Sequence, residues 1–414
     1  MPASDPAAPS GKTLRPPCWH LVCQVIDNFG DVGVLWRLAR QLRDEHGVPV
    51  RFFIDDADAL AMLAPEALAP EATADASTCP TRRAPPPASI EIRPLTQDAP
   101  IGDGADVVVL GFQVRLPPAS RRAWLQTPTT RRPRLIQLDY LSAEDWVADV
   151  HGQTSLAPDG LQERFFYPGF GPRTGGLLLE HDLFARRDHF LADPANRLRW
   201  LSAHGVQTRP DELLLSLLCY PQAPLTALLS TWLAQAGTHG KPHLHLLAPG
   251  TNTQRHLDEL DAWIRQASAP TCRIRLTRLP FLPQTEFDHL LWSGDLNLVR
   301  GEDSWIRALW AGKPWLWQAY PQAEAAHLDK LDAFLTRASA MIAAPRPGPH
   351  DPGALLRWQQ AMRAWNGVPS TPMTDIVSWM NDLAMAGQLA QQLCQHTAAD
   401  SSDLAGRLIR FAKD

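Results

Sequence analysis

The sequence predicts an α/β protein whose two halves each contain a parallel sheet. Short apolar runs, typical of buried strands, alternate with segments whose apolar residues recur at helical spacing, and this alternation occurs twice along the chain. The chain has 414 residues, and about 100 to 200 residues per domain is usual. Two domains are therefore expected. Hydrophobic residues make up 45% and charged residues 20% of the chain, a composition that supports ordinary globular cores.

The first half begins with a predicted strand, 19–26 (WHLVCQVI), which is followed by the loop DNFGDVG and by a helix from residue 35 to about Gly47. Further strands are predicted at VRFFID, DVVVLGF and RLIQLDYL. Because these strands alternate with helical or irregular segments, residues 18–190 are predicted to form a Rossmann-like domain. Residues 1–17, rich in Pro, Ala and Ser, are expected to be a disordered tail, and the Ala/Pro-rich stretch 64–89 a surface insertion.

The second half repeats the alternation. Strands are predicted at LLLSLLCY, HLHLLAPG, RIRLTRLPFL, DLNLVRG and PWLWQAY, with helices at 225–235 and 287–292. Residues 205–372 are therefore predicted to form a second Rossmann-like domain, with the change-over near 186–210, where polar sequence interrupts the apolar runs. The final segment, 373–414, is expected to be helical and could pack back on the first domain.

Composition and spacing exclude several classes of function. The net charge is −5, with acids and bases interspersed, so we expect no nucleic-acid partner. The six cysteines lack zinc-site spacing, and Asp55, Asp56 and Asp58 are explained by helix capping, so neither a metal nor another cofactor is expected. No signal peptide and no apolar run of about 20 residues is present, which predicts a cytoplasmic protein without a membrane partner.

The loop 27–33 is the first candidate site. It follows the first strand, and open α/β sheets bind ligands at the carboxyl ends of their strands. Asp27 and Asp31 stand four residues apart and could face one crevice, while Gly30 and Gly33 would allow a ligand to approach the backbone. The alternative is that Asp31 merely caps the following helix.

A second strand-turn-helix corner lies at 299–304, VRGEDS. The amino end of a helix carries partial positive charge that suits a diphosphate, and Arg300 could add a permanent charge. Two acids would repel a diphosphate, so Glu302 and Asp303 are better placed on hydroxyls of ribose or sugar. The alternative is that Asp303 and Ser304 cap the helix.

Aromatic residues near these corners could bind a nucleobase. Phe281 and Phe287 could form a wall against which a base stacks, Gln284 could supply an amide, and Tyr220 ends an apolar strand nearby. Taken singly, each aromatic residue is more often part of a core. The tryptophans of the second half, such as Trp305 and Trp317, are expected to serve in packing or at an interface.

Five segments carry a family resemblance: DNFGDVGVLWRLARQL, FFYPGFGPRTGGLL, FLPQTEFDHLLW, NLVRGEDSWIRALWAGKPWLWQAYPQ and AHLDKLDAFL. Together they resemble the protein-arginine rhamnosyltransferases of elongation factor P, over roughly residues 19–335. The resemblance implies a GT-B fold, with two Rossmann-like domains facing a central cleft. It also implies dTDP-β-L-rhamnose as donor, inversion at the anomeric carbon, no metal, and one arginine of elongation factor P as acceptor.

The resemblance also implies roles for individual residues. Asp27 and Asp31 match the family's acidic pair, with Asp31 resembling its general base, and Glu302 resembles an essential carboxylate on the donor side. The remaining matched residues are implied to bind the donor's thymine, sugar or diphosphate: Asn28, Phe29, Gly30, Gly33, Tyr220, Phe281, Gln284, Phe287, Arg300, Gly301, Asp303 and Ser304. The first domain would then bind the acceptor and the second the donor.

Two other functions stay open from the residues alone. One is a GT-B glycosyltransferase that acts on a lipid or a small molecule, although such enzymes often carry a basic-apolar membrane patch, which this sequence lacks. The other is a non-catalytic nucleotide-binding protein. The presence of both acidic loops argues against it, since binding alone would not need them.

Overall fold

A computed structural model describes residues 17–26, 29–68, 89–239, 242–250, 254–267, 273–322, 325–344 and 351–414. The strands of its first half are β1 (Trp19–Cys23), β2 (Val50–Ile54), β3 (Ile90–Pro94), β4 (Val107–Gly111), β5 (Arg134–Leu138), β6 (Thr154–Leu156) and β7 (Gln162–Phe166). The helices of this half are α1 (Gly30–Asp44), α2 (Ala57–Leu63), α3 (Pro118–Gln126) and α4 (Val147–Val150).

The first sheet has the strand order β3-β2-β1-β4-β5-β7-β6. Its pairs are parallel, except that β6 runs antiparallel to β7. The chain passes outward from β1 to β3 and then crosses back to β4 on the other side of β1. The loops that follow β1 and β4 therefore diverge at this switch point and leave a crevice, where open α/β sheets bind ligands.

The second half has the strands β8 (Glu212–Leu217), β9 (His243–Ala248), β10 (Ile274–Arg278), β11 (Leu296–Arg300) and β12 (Trp315–Gln318). Its helices are α5 (Leu183–Ala192), α6 (Pro194–Ala203), α7 (Leu225–His239), α8 (Gln254–Gln266), α9 (Gln284–Ser293), α10 (Asp303–Ala311), α11 (Ala326–Ala343), α12 (Pro352–Trp365), α13 (Met373–Met380), α14 (Leu383–Asp400) and α15 (Leu404–Phe411).

The second sheet is parallel and has the order β10-β9-β8-β11-β12. This order matches that of β3-β2-β1-β4-β5, so both halves are Rossmann-like and the predicted α/β class is confirmed. The switch point of this sheet lies between β8 and β11. The segment that begins with Tyr220 follows β8, and the segment 301–304 follows β11.

Burial explains why the central strands are so apolar. Every residue of β1 and of β4 is buried, because helices cover both faces of a parallel sheet. Helix α1 buries its residues Leu35, Leu38 and Leu42 in the first core. It starts at Gly30, five residues before the predicted start. It ends as predicted near Gly47, whose positive φ of 64° lets its N–H bond the carbonyl of Arg43.

Packing around the change-over differs from the predicted domain bounds. Helices α5 and α6 both contact α9, and Leu183, Phe190 and Trp200 belong to the same core as the second sheet. The sequence of α5, LFARRDHFLA, is mostly polar because it buries only Leu183 and Phe190. The first-domain end predicted at 190 therefore includes a helix that packs with the second domain.

The last helices divide between the two cores. Helix α13 contacts α7 and α12, and α14 contacts α11, so both belong to the second half. Helix α15, in contrast, packs against α1 and buries Leu404, Ala405 and Leu408 in the first core. The return to the first domain is therefore made by the final helix and not by the whole segment 373–414.

Most of the predicted tail, 1–16, and most of the predicted insertion, 69–88, lie outside the described residues. At the start of the insertion, Pro65–Leu68 form a short 3-10 helix, and Ala64 and Ala67 are buried in the first core. Small alanine side chains fit there, while Pro65, Glu66 and Leu68 are exposed, so this start of the insertion lies at the surface with two residues turned into the core. Among the described residues, no helix combines the length and the apolarity that a membrane span requires.

Candidate active site

Two adjoining cavities open where the two switch points face each other. The smaller cavity has a volume of about 90 Å³ and is lined by Phe29, Gly30, Arg37, Leu63, Leu218, Tyr220, Leu282, Gln284, Phe287, Arg300, Gly301, Glu302, Asp303 and Ser304. The larger cavity has a volume of about 220 Å³, and its lining includes Asp31, Phe112, Tyr140, Leu141, Trp305, Trp317, Tyr320, Gln322 and Lys330. Gly30, Tyr220, Gly301 and Glu302 line both cavities. A ligand that extends from one cavity to the other must pass these four residues.

The sequence-predicted residues converge on this junction. Nine of the predicted donor-binding residues line the smaller cavity: Phe29, Gly30, Tyr220, Gln284, Phe287, Arg300, Gly301, Asp303 and Ser304. Gly33 and Phe281 stand behind them. The Gly33 carbonyl accepts a 2.7 Å bond from Gln284 Nε2, and Phe281 packs edge-on against Phe29, with ring centroids 4.7 Å apart. Asp27 and Asn28 lie outside the described residues.

Asp31 lies in the first turn of α1 and lines the larger cavity. Its side chain is 2% exposed, and Oδ2 accepts a 3.0 Å bond from the Ile26 backbone N–H. The N-cap residue of α1 is Phe29, so the alternative that Asp31 is the cap is wrong. A carboxylate inside the first helical turn is stabilised by the partial positive charge of the helix end.

Glu302 is the carboxylate at the junction. It is the N-cap residue of α10 but makes no side-chain capping bond. Instead, its Oε2 accepts a 2.8 Å bond from the backbone N–H of Leu141 in the first domain. Burial raises the pKa of Glu302 to about 8, although the Leu141 bond and the charge of Lys330 act in the opposite direction. The negative charge of Asp31 adds to the increase.

Arg300 and Tyr220 close one wall of the smaller cavity. The Arg300 guanidinium carbon lies 4.7 Å from the centre of the Tyr220 ring, and Nη1 donates to the Cys219 carbonyl at 3.4 Å. The Ser304 hydroxyl accepts a bond from the Arg300 N–H at 3.1 Å. It therefore stabilises the turn after β11, and the alternative that Asp303 and Ser304 are the caps of α10 is wrong, since the N-cap is Glu302.

Aromatic rings that the sequence analysis did not assign to the site line the larger cavity. Phe112 and Tyr140 stack with centroids 4.8 Å apart, and Phe112 has a positive φ of 54°, a strained conformation that is frequent at functional sites. Trp305 and Trp317 stack at 3.9 Å, so these two tryptophans serve in packing, as predicted, and also form a cavity wall. The positive φ of Phe112 has no signal in the sequence.

A group of five charged residues, three of them buried and two partly buried, stands behind the smaller cavity; we call it the ionic cluster and define it as Arg37, Glu180, Asp288, Asp303 and Arg307. Arg307 binds Asp288 through two bonds of 2.8 and 2.6 Å and Glu180 through one of 2.6 Å. Arg37 binds Asp303 at 2.9 Å. Although burial alone would raise the pKa of Glu180, Arg307 and Arg37 hold it well below its usual range. The Glu180 carboxyl is therefore expected to be ionised at neutral pH.

Replacing Arg307 with methionine is expected to destabilise the fold by about 3 to 5 kcal/mol, because Asp288 would be left buried without its bidentate partner. Chemical denaturation at neutral pH measures this free energy of unfolding. The matched control is Arg363→Met, since Arg363 forms an exposed pair with Asp332 and should contribute below about 1 kcal/mol. Equal losses for the two variants would contradict a structural role of the cluster.

The possible metal motif in the first half is explained by local bonding. Asp56 caps α2 by accepting a 3.0 Å bond from the Ala59 N–H, and Asp55 accepts a 2.9 Å bond from the Val25 N–H. The predicted helix capping is therefore confirmed for Asp56, whereas Asp55 binds the loop after β1 instead. That the protein uses no metal stays a prediction.

Comparisons with known proteins identify the family of the chain. The family model described as elongation factor P (EF-P) rhamnosyltransferase EarP matches residues 19–413. The protein-arginine rhamnosyltransferase of Pseudomonas putida is 42% identical over 324 residues, which cover 77% of this chain and 80% of the relative. The corresponding protein of Shewanella oneidensis is 33% identical and covers 95% of this chain and 97% of its own length.

Solved structures show the same architecture. A structure that concerns EarP-mediated arginine glycosylation of translation elongation factor EF-P matches with a TM-score of 0.59 and 29% identity, over 96% of this chain and 98% of that one. A glycosyltransferase from Rickettsia africae matches with a TM-score of 0.54 and 9% identity, over 97% and 98% of the two chains, and shows the fold alone. The implied GT-B fold is thus confirmed. The chain belongs to the family of elongation factor P rhamnosyltransferases, EarP.

Proposed function

We propose that the protein transfers L-rhamnose from dTDP-β-L-rhamnose to an arginine side chain of translation elongation factor P, with inversion at the anomeric carbon and in the cytoplasm. The observation that carries the proposal is the junction. Asp31 of the first domain and Glu302 of the second face one cavity, and that cavity adjoins a second one lined by the predicted donor-binding residues. The names of the relatives support the same reaction.

The smaller cavity suits a nucleoside diphosphate. Leu218, Leu282 and Phe287 supply apolar surface on which a thymine ring could lie. The amino end of α10 and the permanent charge of Arg300 could stabilise the diphosphate. Asp303 could accept a hydrogen bond from the single hydroxyl of the deoxyribose.

The larger cavity suits a sugar and a guanidinium group. Its two carboxylates, Asp31 and Glu302, offer the charge that a guanidinium needs in a buried place. Tyr140 and Trp305 also line this cavity, and aromatic rings are preferred neighbours of an arginine head group. An arginine that enters through this cavity would reach the junction from the side opposite the diphosphate, and such opposed positions are what inversion requires.

Proton transfer must accompany bond formation. Because a guanidinium has a pKa above about 12, a carboxylate cannot remove its proton beforehand. Asp31 would instead hold the guanidinium so that one nitrogen points at the anomeric carbon. As the new C–N bond forms, the bond from the anomeric carbon to the phosphate oxygen breaks and its electrons leave on dTDP. The surplus proton of the nitrogen passes to Asp31, and the product keeps its positive charge.

The test is to incubate the purified protein with dTDP-β-L-rhamnose and elongation factor P and to measure the intact mass of the acceptor. We expect the addition of one deoxyhexose, located on one arginine by fragmentation. The control omits the donor. If the protein binds dTDP but the mass of elongation factor P is unchanged, the acceptor assignment is wrong. If the protein does not bind dTDP, the donor assignment is wrong.

A further inference from the structure

One face of α1 meets the second domain directly behind the smaller cavity. Phe29, Gly33 and Arg37 follow one another at intervals of four residues, which places them on one side of the helix. Phe29 contacts Phe281, and Gly33 accepts a bond from Gln284. Arg37 is the third contact of this row, and it takes no part in the proposed chemistry.

Arg37 is 4% exposed and uses each nitrogen of its guanidinium group. Nε donates to Asp303 Oδ1 at 2.9 Å. Nη2 lies 3.5 Å from the Gln284 carbonyl oxygen and 3.6 Å from Asp288 Oδ1, and Nη1 lies 3.5 Å from Glu180 Oε1. The shortest of these contacts by far is the one with Asp303. A planar fork of donors fixes the orientation of its partner more firmly than a single ammonium group would.

The other carboxylates of the ionic cluster depend less on Arg37. Asp288 and Glu180 each have a contact of 2.6 Å with Arg307. Asp303, in contrast, has its shortest ion pair with Arg37. If Arg37 is replaced, Arg307 can still pair with Asp288 and Glu180. Asp303, in contrast, would lose its shortest ion pair.

The bond with Arg37 orients Asp303 toward the cavity. Oδ1 is bound by Arg37 Nε, while Oδ2 lies 3.4 Å from the position that a Cβ atom on Gly33 would take. The Asp303 side chain is 18% exposed and lines the smaller cavity. One oxygen is thus engaged by the protein, and the carboxylate as a whole remains accessible to a ligand.

We propose that Arg37 is a positioning residue for the sugar-nucleotide donor: from the first domain, it holds the Asp303 carboxylate of the second domain in its ligand-binding orientation. The inference rests on the proposed function for the identity of the nucleotide. Because Arg37 and Asp303 belong to different domains, the same bond also keeps α1 in register with α10. Donor affinity then depends on a residue of the acceptor-side domain.

The test is a double-mutant cycle in which calorimetry measures the Kd for dTDP. A charge-assisted hydrogen bond contributes about 1.5 to 3 kcal/mol, so Arg37→Gln and Asp303→Asn should each weaken dTDP binding by about 10- to 100-fold. In the Asp303→Asn background, Arg37→Gln should add less than about a threefold loss. In transfer assays, Arg37→Gln should raise the donor KM by a similar factor and leave kcat within about threefold.

A matched control is Arg187→Gln. Arg187 of α5 is also a largely buried arginine, with a side chain 18% exposed, and it donates a 2.8 Å bond to the carbonyl of Trp310 at the far end of α10. Its loss should change the Kd for dTDP by less than about twofold. If circular dichroism shows that Arg37→Gln is unfolded, Arg37→Lys replaces it in the same cycle, with a weaker but equally non-additive effect expected.

Two results would overturn the inference about Arg37. One is an unchanged Kd for dTDP in the folded Arg37 variant. The other is an equal loss with and without Asp303, because additivity would mean that Arg37 acts on the fold and not through that carboxylate. Wild-type protein that binds dTDP but does not modify elongation factor P would contradict the proposed acceptor only, whereas wild-type protein without dTDP affinity would overturn both.

Discussion

Replacing Asp31 with asparagine is expected to slow arginine transfer by about a thousandfold, which corresponds to about 4 kcal/mol of transition-state stabilisation. The asparagine carbonyl can keep the bond with the Ile26 N–H, so the loop and α1 should retain their fold. What is lost is the charge that holds the guanidinium and the oxygen that receives its proton. Initial rates at saturating donor and acceptor measure the effect.

Donor affinity separates this role from a general disturbance of the cleft. Asp31 lines only the larger cavity of the two, so the Kd for dTDP should change by less than about twofold. Asp58→Asn is the matched control, because Asp58 lies exposed in the first turn of another helix, α2, and should leave the rate unaltered. A variant at Asp31 with wild-type turnover would remove this residue from the mechanism.

The positions of the two loops could be predicted because their signals are local. Each loop follows a continuous apolar strand and precedes a helix with regular apolar spacing, and such a corner must lie at the carboxyl edge of a parallel sheet. The loop position predicted that Asp31 could face a crevice, but its place inside the first turn of α1 could not be predicted in this way. The position of Asp31 depends on where α1 begins, and no residue of the loop DNFGDVG indicates that the helix begins at Gly30.

The ionic cluster could not be predicted, because its members are distant in the sequence. Arg37 and Asp303 are separated by 266 positions, and an arginine within the helical pattern of α1 resembles one on a solvated face. Only the packing of α1 against α9 and α10 reveals that this face is buried. A buried charge in an amphipathic helix is therefore visible only after the partner helix is known.

The sequence did not predict that aromatic residues line the larger cavity, and the reason is different. Trp305 and Trp317 are both buried and both line the cavity, so the expectation of packing and a role in the site are compatible. Composition cannot distinguish a ring that packs on both faces from one that packs on one face and borders a cavity. The same holds for Tyr140, which stacks on Phe112.

Replacing Glu302 with glutamine is expected to reduce the transfer rate by about a hundredfold, since glutamine cannot acquire the negative charge with which an ionised Glu302 would pair with the guanidinium. The pH dependence should change as well. Burial raises the pKa of Glu302 to about 8, so the free protein holds this carboxyl group protonated at neutral pH. Only the ionised form can pair with a guanidinium, and kcat/KM for the acceptor should therefore rise with pH until it levels above about 8.

The glutamine variant should lack this rise, because it has no proton to lose. Glu259→Gln provides the control, since Glu259 forms an exposed i,i+4 pair with Arg255 and should keep the wild-type pH profile. Wild-type and Glu302→Gln profiles of the same shape would mean that another group titrates, and would exclude Glu302 as the carboxylate that meets the acceptor.

Thermal unfolding gives a second measurement of the same carboxyl group without any substrate. A carboxyl whose pKa is raised by folding stabilises the folded state at low pH, and this contribution is lost as the pH rises through the folded pKa. For Glu302, the loss spans the window from the ordinary carboxyl range to about 8. Glutamine mimics the protonated form, so the Tm of Glu302→Gln should exceed that of the wild type by a margin that grows across this window. Adding the acceptor should remove the fall in the wild-type Tm across this window. A bound guanidinium would compensate the buried negative charge of Glu302, which has no such partner in the empty cleft.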